Sequence, residues 1–107
     1  MTKEQTKKYL AGYLLNMARV QLLKRKLEVY AMSAPSIKRE IDICIKNSGE
    51  IEEIVNSCND ILAREVAVRK YIYGQSLEKI AEELNYSVRQ IQRIHNKAVE
   101  ELCLKIK

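Results

Sequence analysis

Tryptophan and phenylalanine are absent from this chain of 107 residues, histidine and proline occur once each, and glycine and cysteine three times each. His95 has no second imidazole with which to complete a metal or general-base site. No catalytic constellation, and so no enzyme activity, is expected. Cys44, Cys58 and Cys103 are odd in number and lack CxxC spacing, which argues against a zinc centre and against a disulfide framework. Cys44 and Cys58 stand about 21 Å apart if they share one helix, too far to bond within a chain. Reduced, buried thiols in a cytoplasmic protein are the simplest expectation. The longest apolar runs are a few residues, whereas a membrane span needs about twenty, and nothing reads as a signal peptide. Neither a membrane partner nor a cofactor is expected.

Charge is abundant but evenly spread. Nineteen Lys and Arg against fourteen Asp and Glu leave a net +5, compatible with nucleic acid without demonstrating it. Residues 1–58 hold ten basic against seven acidic groups, and residues 59–107 nine against seven. Any binding surface therefore depends on local arrangement.

That arrangement is clearest in residues 74–102, GQSLEKIAEELNYSVRQIQRIHNKAVEEL. Ser76 is placed to cap a first short helix whose apolar face carries Ile80, Ala81 and Leu84. Asn85 tolerates the left-handed conformation that ends a helix, and Tyr86 follows as an apolar plug. Ser87 opens a second helix with a capping box, since Gln90 lies three residues on. Ile80, Leu84, Tyr86, Ile91 and Ile94 are expected to pack the pair, and Ala81 supplies the small residue needed where the helices cross. Val88, Arg89, Gln92, Arg93, Asn96 and Lys97 then face outward, with His95 at the surface among them. Arg89, Arg93 and Lys97 recur every four residues without an intervening acid. Arginine reads guanine edges bidentately, glutamine and asparagine read adenine, and lysine neutralises phosphate. Ser76 and Lys79 are placed to position the DNA backbone.

Residues 64–102 resemble the promoter-reading region 4 of sigma-70-type factors. In that family a preparatory helix ending in tyrosine and glycine precedes the helix-turn-helix, and residues 65–74 fit it. The resemblance implies DNA contact at Ser87, Val88, Arg89, Arg93 and Lys97, and phosphate contact at Arg69 and Lys70. The whole chain is similar to phage regulators of the ArpU and RinA type, described as activators of late genes. It departs from the region 4 pattern at Asn85, where glycine is commoner, and at Val88, where many relatives place a polar reader. The chain is too short for a complete sigma factor and lacks the aromatic region that melts promoter DNA. A transcriptional role would then depend on RNA polymerase with its own sigma factor.

Two more helices are expected ahead of this head. Thr2 with Gln5 forms a capping box, and Leu10, Tyr13, Met17, Val20, Lys24, Leu27 and Ala31 follow a three-four alternation over about thirty residues. Pro35, with Ser33, Ala34 and Ser36, marks a turn. A second seam runs through Ile37, Ile41, Cys44, Ser48, Ile51, Val55 and Cys58, with a bend at Gly49. The clusters Lys24–Lys26 and Glu50, Glu52, Glu53 read as solvated faces. The two seams can bury each other as an antiparallel hairpin or pair with another chain. Stripes of this length favour a homodimer or higher oligomer, which would suit paired half-sites. Asn59 and Asp60 read as cap and hinge before a helix over 61–73.

The expected fold is all-α. A helical hairpin or assembly arm over 1–58 precedes a three-helix, sigma region 4-like DNA-binding head over 59–107. The expected function is transcription regulation on double-stranded DNA through helix 87–105. A phage terminase small subunit is a second DNA-binding reading. A module that docks on RNA polymerase is the reading from another class.

Overall fold

The capping box at the amino terminus is formed: Thr2 N–H donates to Gln5 Oε1 at 2.9 Å, and Gln5 N–H donates to Thr2 Oγ1 at 3.1 Å. In the computed structural model, which describes residues 1–29 and 34–106, every regular element is helical. The elements are α1 (Lys3–Val29), α2 (Ala34–Asn56), α3 (Ile61–Ala67), α4 (Leu77–Leu84) and α5 (Val88–Lys105). α3 runs on into a wider π turn over Val68–Ile72. The expected turn residue Ser33 and seam residue Ala31 lie outside the described residues. Pro35 is not in a turn but in the first turn of α2. Its missing N–H costs nothing there, because the first amides of a helix have no intrahelical acceptor.

α1 and α2 run antiparallel, and the seam read from α2 is buried along its length: Ile37, Ile41, Cys44, Ser48, Ile51 and Val55. Cys58 is also buried but falls just beyond the end of α2. The helix continues through Gly49, whose missing Cβ would meet only open space. On α1 the seam shifts by one residue. Leu23 is buried at 5% exposure and Lys24 is exposed. Leu23 delivers four apolar carbons to Ile37, Ile41 and Cys44, whereas Lys24 there would bury an unpaired ammonium.

Three core clusters follow. Val20, Leu23, Ile37, Ile41 and Cys44 close the far end of the α1–α2 pair. Val66, Ile80, Ala81 and Ile91 join α3, α4 and α5. Between these, Leu10, Ile51, Val55 and Cys58 from residues 1–58 pack with Ala63, Ala67, Tyr71, Ala98 and Leu102 from residues 59–107. The two expected segments therefore share one core. The junction is pinned rather than left as a hinge: Asn59 N–H donates to Glu101 at 2.6 Å, Lys105 donates to the Ser57 carbonyl, and Asp60 caps α3 by accepting from Ala63 N–H at 3.0 Å. Because α1 and α2 satisfy each other's seams within the chain, those seams give no reason for a second copy.

Candidate nucleic-acid interface

α4 and α5 meet across three residues, Asn85, Tyr86 and Ser87. Ser76 Oγ accepts the Lys79 N–H at 3.2 Å and so caps α4. Asn85 ends α4 with φ 59° and ψ 40°, the left-handed conformation, and is the only described non-glycine residue with positive φ. Its short amide side chain lowers the penalty that a Cβ normally meets there. Tyr86 N–H then reaches back to the Ala81 carbonyl at 3.0 Å. The next cap is reciprocal. Gln90 N–H donates to Ser87 Oγ at 3.1 Å, and Ser87 N–H donates to Gln90 Oε1 at 2.9 Å. Ile80 and Ile91 are fully buried between the helices, with Leu77, Leu84 and Ile94 packed around them. Tyr86 is not the plug expected from the sequence: it is 38% exposed and outside this cluster. The αL residue before it turns the chain outward, and the phenol stays in water.

Val88, Arg89, Gln92, Arg93, Asn96 and Lys97 are all exposed along α5. Among the described residues, Arg89 and Arg93 enter no ion pair. Lys97 differs from them, since its Nζ lies 3.2 Å from Asp60. The Asp60 carboxylate also accepts from the Ala63 amide, and together these bonds hold it below the usual carboxylate range. On α4, Ser76 and Lys79 are exposed, and Lys79 lies 3.6 Å from Glu83.

Arg69 is more enclosed than a phosphate contact requires. Its side chain is 22% exposed and bridges Glu65 at 2.8 Å and Glu83, so the guanidinium ties the π turn to α4. Gln75 joins the same group. Lys70 is half-buried and lies close enough to His95 to act on its charge.

His95 corrects the sequence expectation most clearly. It is buried at 5% exposure, with Nε2 2.7 Å from the Tyr71 hydroxyl and the rings 5.6 Å apart. Burial, with the Lys7 and Lys70 ammonium groups adding to it, pushes its pKa down to about 4. Burial, and then Glu4, pushes the Tyr71 phenol up to about 12. Both groups are therefore neutral at pH 7. Position 95 lies four residues after Ile91 and three before Ala98, in the buried row of α5. That spacing was the available signal, and the lone polar residue type masked it.

The π turn was not expected either, since the sequence reads as one regular helix over 61–73. The widened turn carries Tyr71 into the core beside His95 while Arg69 faces α4. It closes on Tyr73 N–H to the Val68 carbonyl at 3.1 Å and ends at Gly74, whose φ of 70° suits a residue without Cβ. No family model, curated protein or solved structure matches the chain.

Proposed function

We propose that the chain is a sequence-specific DNA-binding transcriptional regulator, of the sigma region 4-like helix-turn-helix kind, that sets α5 in the major groove. Regulation of phage or prophage late genes is the setting in which its similarity to ArpU- and RinA-type proteins fits. The observation that carries the reading is the pair Arg89 and Arg93, exposed and in no ion pair among the described residues, on a helix whose start is fixed by a tight αL turn and a reciprocal cap. A rigid helix start with two uncommitted guanidinium groups in its first turns is what base-edge reading needs. Val88, Gln92 and Asn96 extend that face, and Ser87, Ser76 and Lys79 stand where backbone contacts would position it. Lys97 joins them by exchanging Asp60 for a phosphate, and Lys70 adds positive potential behind them. Arg69 supports the face through its bonds to Glu65 and Glu83.

Selection from a random duplex pool at physiological salt tests this. One enriched motif, lost in an Arg89→Ala/Arg93→Ala variant, is the expected result. On that motif Arg93→Ala alone costs about 1–3 kcal/mol, and on unrelated duplex much less. Equal losses on both make Arg93 a phosphate contact. No enrichment by the folded protein defeats the reading and leaves docking on RNA polymerase as the test's other answer, while ring-sized assemblies on one packaging-site sequence point to a terminase small subunit.

A further inference from the structure

α1 has two apolar faces, and only one is used within the chain. Opposite the seam that meets α2 lie Leu15, Leu22 and Val29, seven residues apart and 73%, 60% and 71% exposed. Ala18 stands between the first two and Ala11 one step before them, and both are exposed as well. The spacing 11, 15, 18, 22 alternates four and three, the register of a helix that seats against another helix. An apolar stripe of this length facing water, interrupted only at Arg25, marks an interaction surface. We propose that the stripe is the contact between two copies of this chain, paired antiparallel about a two-fold axis at the level of Val20.

Shape and charge both select that occupant. An axis at Val20 sets Leu22 over the partner's Ala18 and Val29 over the partner's Ala11, large on small, and sets Leu15 against the aliphatic stem of the partner's Arg25, whose guanidinium reaches water. The stripe complements itself, as an isologous contact requires. A parallel pair would instead bring Arg25, which continues the stripe, against its own copy, with Lys24 and Lys26 beside it. Like charges at such a seam oppose pairing.

The antiparallel pair sends this basic cluster to the other end of the partner helix. Gly12, Arg19 and Lys26 follow one edge of the stripe at seven-residue spacing, and in this arrangement that edge meets itself. Lys26 arrives beside the partner's Gly12. There a groove of about 390 Å³ between α1 and α2 is lined by Lys8, Tyr9, Asn16, Asn47 and Glu50. Glu50 has no ion pair among the described residues, so its carboxylate is available to the incoming ammonium. At the axis the two copies of Arg19 approach each other, and each has its own Glu40 at 3.5 Å to offset their repulsion.

The pairing does not rest on the DNA reading, but it has a consequence for it. α5 is attached to the first half of α1, through the Lys3–Glu100 bridge and the core contact of Leu10 with Ala98 and Leu102. In the dimer the attachment points of the two heads are then roughly 30 Å apart along α1 at Leu10 and roughly 50 Å apart at Lys3, a range that includes one turn of DNA.

Sedimentation of the full chain over a hundredfold concentration range tests the proposal. The expected result is a dimer that becomes monomeric in Leu22→Glu, with the helical circular dichroism unchanged because Leu22 is exposed in the single copy. Glu50→Lys and Lys26→Glu should each weaken the dimer about tenfold, and the double variant should recover it. A wild-type monomer throughout, a dimer indifferent to Leu22→Glu, or a double variant weaker than both singles overturns the proposal. Duplex selection on the same samples keeps the two readings apart. A motif still enriched by monomeric protein leaves DNA recognition standing when the dimer fails.

Discussion

His95 sits on the element proposed to enter DNA, yet its ring turns inward to Tyr71. Its pKa of about 4 lies below the ordinary 6.5. For a base depressed on folding, the unfolded chain binds more protons between those two values, so stability is complete above about 6.5 and falls as pH drops towards 4. The loss is up to about 3 kcal/mol. Denaturant melts at pH 7 and pH 4.5 should show it, and His95→Gln should flatten the difference. An unchanged slope in that variant would assign the acid loss to carboxylates such as Asp60 and Glu101, which are also held low in the folded state. At the same scale, the cations singled out in the sequence divide into two groups. Among the described residues Arg89 and Arg93 enter no ion pair, whereas Lys97, of the same row, and Arg69, of the preceding helix, are engaged by Asp60, Glu65 and Glu83.

Between elements, the geometry of α4 and α5 depends on one backbone conformation. Asn85 holds φ 59°, which costs a residue with a plain Cβ roughly 1–2 kcal/mol. Asn85→Ala should therefore lower stability by about 1 kcal/mol, and Asn85→Gly should leave it equal or slightly higher. Thermal melts of the two variants check the order. If both melt alike, the turn does not require the left-handed region. The caps around this turn were legible because each uses neighbours three residues apart: Ser76 with Lys79, and Ser87 with Gln90. The π turn was not legible, since local spacing there fits a regular helix equally well, and the contact it serves joins residues 24 positions apart, Tyr71 and His95. Lys24 was misplaced for a related reason: a three-four alternation admits Leu23 or Lys24 equally well until the partner helix selects a side.

Over the whole molecule, which measures 51 × 30 × 20 Å, the first two helices serve as more than an arm. Leu10 is fully buried in one core cluster with Ala98 and Leu102 of α5 and with Ile51 and Val55 of α2. Leu10→Ala should cost about 2–4 kcal/mol and lower the melting of the entire chain in one transition. Separate transitions for residues 1–58 and 59–107 would contradict a shared core. The sequence by itself determined the all-α class, the capped starts of α1, α4 and α5, the αL turn and the buried row of α2, because caps and apolar periodicity act over three or four residues. Only tertiary structure decided that His95 is core, that Arg69 clasps α4 and that residues 1–58 fuse with the head. It also decided which of the two apolar faces of α1 stays in water. Those outcomes depend on which distant surface each side chain meets, and no local spacing records that.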